Sequence, residues 1–128
     1  MIVLDTNTIL RSILQDNKEA ALLVEDCVSR HECLIPPEVV AEIVYVLLKV
    51  YHLNRKTIVD SVTAILEHEN VRVPFQAVVE TALRYFGTTT FDFVDCLMIG
   101  YAHAEGHQIL TFDQKLKKYL PLQYHAES

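Results

Sequence analysis

The sequence is short of cationic charge. Its 11 Lys and Arg stand against 17 Asp and Glu, a formal net charge of -6. That balance excludes the broad basic face of a general nucleic-acid binder. An acidic chain can still act on phosphates if its acids hold a cation and a few lysines grip the backbone. Cysteine is scarce and odd in number, with three residues at 27, 33 and 96 and no C-x-x-C spacing. Neither a disulfide framework nor a zinc knuckle is compatible with this, which leaves small buried hydrophobes in a reducing compartment. Extended apolar runs are missing as well: Ile2-Val3-Leu4 stops at Asp5, and no segment reads as a signal peptide or a membrane span. The expectation is a cytoplasmic protein without a membrane partner. Repeats, linkers and low-complexity stretches are also lacking.

What is present is ample apolar content, 51% of 128 residues, which suits one domain over 1–128 able to bury a core without staples. The tail after about Pro121 is expected to be loose. Residues 1–5 read as a buried strand that ends on a carboxylate. Thr6-Asn7-Thr8 offers capping side chains, and Ile9, Leu10, Ile13 and Leu14 make a helical face. A helix over 18–30 is expected to bury Ala21, Leu22, Val24 and Val28. Strand candidates follow at 33–35, 71–73 and 108–111. Helices are predicted from Pro37 to about Tyr51, over roughly 55–68, over 75–86, from Asp92 to Gly106, and briefly after Asp113, with a loop at 87–90. Strands alternate with helices, so the pattern predicts an α/β sandwich with a parallel sheet and helices on both faces.

Ligands collect at the carboxyl ends of the strands in such sheets. Asp5 ends the first strand and Asp113 follows the last. Asp92 and Asp95 lie three apart at a helix start and can face the same way. Glu42 sits in Val39-Val-Ala-Glu-Ile-Val-Tyr-Val-Leu-Leu48, a helix apolar nearly all round, where an unpaired carboxylate would be expensive. Clustered carboxylates suit hard, oxygen-seeking Mg²⁺ or Mn²⁺, which activate water for phosphoryl displacement without a side-chain nucleophile. Like charges at one site repel, so neutralising Asp5 or Asp113 is expected to stabilise the metal-free protein. Each acid also has an ordinary role open to it. Asp5 and Asp113 can cap helices, Asp92 with Asp95 fits a capping box, and Glu38, Glu42, Tyr45 and Lys49 can form a polar stripe. Capping accounts well for Asp92, which ranks behind the other four.

The remaining features point less sharply. His103 and His107 are spaced H-x-E-x-H, not as the H-E-x-x-H zinc helix, and read as surface residues. His31, His52, His68 and His125 are scattered. Six Tyr and five Phe show no base-stacking motif, and core packing accounts for most of them. Arg11, Lys115, Lys117 and Lys118 are candidate phosphate contacts, set against an ordinary solvated face.

Four stretches, Ile2-Val-Leu-Asp-Thr-Asn7, Pro37-Glu-Val-Val-Ala-Glu42, Phe91-Asp-Phe-Val-Asp-Cys-Leu97 and Leu110-Thr-Phe-Asp113, together resemble a PIN domain of the kind found in VapC-type toxins. They occur in the family's order and span nearly the whole chain. The resemblance implies a PIN-like three-layer sandwich with a short parallel sheet of four or five strands. It assigns metal ligation to Asp5, Glu42, Asp95 and Asp113, with Asp92 secondary and Thr6, Asn7 and Thr111 supporting. It further implies a Mg²⁺- or Mn²⁺-dependent endoribonuclease, an RNA substrate, a cognate antitoxin and a homodimer. Cys96 and Gly100 stand where similar sequences often carry alanine. An RNA-processing nuclease with no antitoxin, or a catalytically silent PIN-like binding module, are the alternatives. A phosphoaspartyl phosphatase would also begin from an Asp after the first strand, but position 7 is Asn where a second Asp is needed.

Overall fold

The computed structural model describes residues 1–124 and 126. The other three, including His125 and the end of the tail expected to be loose, lie outside the described residues. The chain forms two compact units, Met1–Pro74 and Phe75–Ser128.

The first unit alternates strand and helix: β1 (Ile2–Val3), α1 (Thr6–Leu14), α2 (Lys18–Arg30), β2 (Cys33–Leu34), α3 (Pro37–Lys49), α4 (Arg55–Leu66) and β3 (Val71–Arg72). The sheet is parallel in the order β1-β2-β3, with Ile2 opposite Cys33 and Cys33 opposite Val71. Helix starts follow side-chain chemistry. Asn17 accepts a hydrogen bond from the Ala20 amide and Asn54 from the Thr57 amide, which satisfies donors the helix itself cannot. Pro37 at the first position of α3 has no N–H to leave unpaired. The core gathers Cys33 from the central strand and Ile35 just after it with Val40, Ile43, Val44, Leu47 and Ile58 from the helices, all at most 1% exposed.

The second unit is helical: α5 (Gln76–Thr88), α6 (Phe93–Glu105) and the single turn α7 (Gln114–Lys117). Asp92 caps α6, and Gly106 ends it in the left-handed conformation at φ 69°, as expected of a helix-terminating glycine. Ile99, Ala102, Leu116 and Leu120 form its buried cluster, with Phe91, Met98 and Ile109 packed against it.

Four expectations are corrected. The sheet has three strands, not four or five, because residues 108–111 contribute only one isolated parallel bridge, Ile109 with Gln123. β1 is not a buried strand. It lies at the sheet edge, Ile2 and Val3 are 37% and 60% exposed, and only Leu4 is covered. Leu22 is exposed, because the inward face of α2 is carried by Ala21, Val24 and Val28, and Leu22 is turned about 100° from Ala21. Gly87 and Thr88 extend α5 rather than starting the loop. Beyond Pro121, the Tyr124 amide donates to the Ile109 carbonyl, and the Gln123 side chain to that of Lys117. Among the described residues no helix is long and apolar enough to cross a membrane.

Candidate metal-binding acids

In the first unit, Asp5 leaves β1 and becomes the cap of α1. Its Oδ1 accepts from the Thr8 amide at 2.9 Å. That hydrogen bond, aided by the Thr8 hydroxyl, holds the Asp5 carboxyl below its ordinary value. Thr6, one residue on, donates its hydroxyl to Glu42 Oε2 at 3.1 Å. The first turn of α1 is thereby tied to the middle of α3, 36 residues away. Asn7 lies exposed in that same turn.

Glu42 departs from the expectation that put it among apolar neighbours. It is exposed, on the outer face of α3 with Glu38, Tyr45 and Lys49, while Val40, Ile43, Val44 and Leu47 turn inward. Helical period explains both facts: the polar residues recur three and four apart and so share one face. No burial cost therefore weighs on Glu42, and its Thr6 partner is what positions it.

In the second unit, Asp92 Oδ1 accepts from the Asp95 amide at 2.8 Å. The two acids share the first turn of α6, with Asp95 half-buried. Asp113 caps α7, its Oδ1 taking the amides of Lys115 at 2.9 Å and Leu116 at 3.1 Å, while its own amide donates to Thr111 Oγ1 at 3.1 Å. The Asp95 carboxyl is pushed above its ordinary value, first by burial and then by the negative charges of Asp92 and Asp113. Asp92, Asp95 and Asp113 thus share one electrostatic environment. Asp5, Asp92 and Asp113 are all helix caps as well.

By donor type these acids suit a hard divalent cation. They offer carboxylate oxygens, and the like charges around Asp95 are what a cation would relieve. Among the described residues no group of three or more His, Cys, Asp or Glu side chains stands close enough together to hold a metal ion. The 240 Å³ cavity of the first unit is lined mainly by apolar residues, among them Leu4, Ile9, Val24 and Ile65, and by none of the candidate acids.

The basic candidates divide. Arg11 is ion-paired with Asp16 and bonded to the Tyr51 hydroxyl, while its buried Nε has no hydrogen-bond partner among the described residues. Lys115 and Lys118 are exposed and Lys117 is half-buried, and none pairs with a described acid. His103 and His107 are surface residues, held by the Tyr119 carbonyl at 2.7 Å and by Glu105 at 3.2 Å. Sequence reasoning missed Phe112, which is 89% exposed beside Asp113 and not part of the core. Its position inside the Leu110–Asp113 motif was the available clue.

A protein named VapC ribonuclease from Aquifex aeolicus (strain VF5) is 27% identical over 124 aligned residues, covering 92% of this chain and 91% of that one. A solved toxin–antitoxin complex from Klebsiella pneumoniae includes a chain 20% identical to this one. The match covers 94% of this chain and 93% of that one at a TM-score of 0.37. The PIN-domain family model matches residues 2–119, which take in all five candidate acids. The chain therefore belongs to the PIN-domain family.

Proposed function

We propose that the chain is a Mg²⁺- or Mn²⁺-dependent endoribonuclease, the toxin of a toxin–antitoxin pair, working in the cytoplasm as a homodimer. The observation that carries the nuclease reading is the family match over residues 2–119. The name of the Aquifex relative supports RNA as the substrate, and the pairing with an antitoxin rests on the resemblance of the motifs. The homodimer rests on the resemblance of the motifs alone.

In this reading Asp5, Glu42, Asp95 and Asp113 hold the cation, and Asp92 assists. The bound ion supplies Lewis acidity at the scissile phosphodiester and a nucleophile from water. The chain's own part is to hold the oxygens ready. The Thr8 amide orients Asp5, and the Thr6 hydroxyl orients Glu42. Asp92 fixes the first turn that carries Asp95. Thr111 pins the backbone of Asp113, whose Oδ1 is taken by two amides while Oδ2 accepts no hydrogen bond from a described residue. Lys115, Lys117 and Lys118 supply cations for RNA phosphates beside Asp113.

The test is cleavage of a tRNA pool by homogeneous protein. EDTA should abolish it and added Mn²⁺ restore it, while Asp95→Asn should lower the rate by at least 100-fold (about 2.7 kcal/mol in transition-state terms). Cleavage undiminished by chelation would overturn the metal mechanism.

A further inference from the structure

Phe112 is the most exposed large hydrophobic among the described residues, at 89%. Its neighbours alternate along the chain. Ile109 and Thr111 are half-buried, whereas Leu110, at 63% exposed, and Phe112 face outward. Leu110 and Phe112 are thus two exposed apolar residues in one short stretch, an apolar strip that ends at Asp113.

The strip is firmly held. Ile109 packs on the Ile99–Leu120 cluster, and its amide and carbonyl bond Leu122 and Tyr124. On the other side, Thr111 and Asp113 lock the turn, and Leu116, bonded to Asp113, is 3% exposed. The ring is therefore presented by an anchored backbone. Seven other aromatics of this unit are paired, Phe91 and Tyr85 with Tyr119, Phe86 with Phe93, and Phe75 with Tyr101, whereas Tyr124 is in none of these pairs. Phe112 has no ring partner among the described residues. Three lysines without ion pairs to described residues follow within six positions.

A flat apolar ring, an adjacent candidate ligand carboxylate and nearby free cations match the parts of a nucleotide: base, scissile phosphate and neighbouring phosphates. We propose that Phe112 stacks on an unpaired base next to the scissile phosphate and so helps to seat the bond that is cut. This rests on the ribonuclease reading above. Stacking tolerates any base face, so Phe112 would impose little sequence preference.

The test begins by mapping the bond that wild-type protein cuts in a tRNA pool. An oligoribonucleotide spanning that bond is then made in parent form, and in two abasic forms lacking the base on either side of the cut. With wild-type protein, one abasic form should lose about 5- to 150-fold in kcat/KM, the range of one base–aromatic stack. Phe112→Ala should show a similar loss on the parent and no further loss on that abasic form, because the two changes remove the same contact. Phe112→Tyr should cleave like wild type. Full activity of Phe112→Ala on the parent, or losses that simply multiply, would overturn the proposal while leaving the ribonuclease reading intact. A Phe112→Ala protein whose only change is its oligomeric state would assign the strip to a protein interface and overturn it too. If wild-type protein cuts no RNA, the ribonuclease reading falls and takes this inference with it.

Discussion

Asp5 and Asp95 are both aspartates in the first turn or cap of a helix, yet their surroundings push their carboxyls in opposite directions. Asp5 accepts hydrogen bonds from Thr8, which favour its charged form. The stability it contributes is present above the ordinary aspartate value of 3.8 and is lost as pH falls through its lowered one. Asp95 is half-buried and faces the charges of Asp92 and Asp113, which favour its protonated form. Its contribution is present below the ordinary value of 3.8 and is lost as pH rises through the raised one. The repulsion expected at Asp5 or Asp113 falls on Asp95, with Asp92 and Asp113 as its sources, whereas Asp5 is held by hydrogen bonds from Thr8. In EDTA near neutral pH, Asp95→Asn should melt about 2–5 °C above wild type, and the gap should close toward pH 4. Asp5→Asn should melt no higher than wild type, since asparagine still caps but the favoured charge is gone. Excess Mg²⁺ should raise the wild type more than Asp95→Asn, because it binds the folded acids preferentially. An Asp95→Asn protein that melts below wild type in EDTA would mean the carboxylate is held by favourable contacts.

Among the elements, α5 and α6 meet closely at Gly100. A Cβ built there would lie 2.5 Å from the Val78 carbonyl oxygen and 3.0 Å from a Val78 methyl. The oxygen belongs to a helix backbone and cannot swing aside as a long side chain would. A methyl group at position 100 therefore does not fit. Gly100→Ala should destabilise the protein by about 1–3 kcal/mol, despite the better helix propensity of alanine. A denaturant melt that shows Gly100→Ala equal to or above wild type would mean that α5 shifts away from the added methyl. Along the same helix, Asp92 both caps α6 and faces Asp95, so structure and charge meet in one turn.

For the molecule as a whole, the net charge of -6 does not favour long-range attraction of RNA. On the proposed reading, capture of substrate would fall to local features: the acids with their cation, the lysines after Asp113 and the exposed Phe112. If the toxin reading holds, induced expression of the wild type should arrest bacterial growth within a few generations, and the Asp95→Asn protein should not. Growth curves that stay parallel while soluble, RNA-cleaving protein accumulates would favour an RNA-processing role with no antitoxin.

Local chemistry made much of this legible in advance. Asp5, Asp92 and Asp113 are caps because their short carboxylates reach amides two or three residues on, a relation written in adjacent residues. The helices at 18–30 and 92–106 likewise follow from capping groups, period and a terminating glycine. The ordered motifs sufficed for the family, since a family pattern is itself a property of sequence. Exposure was another matter. Glu42 sits amid apolar letters yet faces outward, Ile2 and Val3 form an uncovered edge, and residues 108–111 make one bridge instead of a strand. Each outcome depends on which neighbours arrive from distant parts of the chain, and hydrophobic period marks a face without saying what covers it. Phe112 is the clearest case. Its apolar letter suggested core, and only the tertiary arrangement, by anchoring Ile109 and Leu116 on either side of it, left its ring in water.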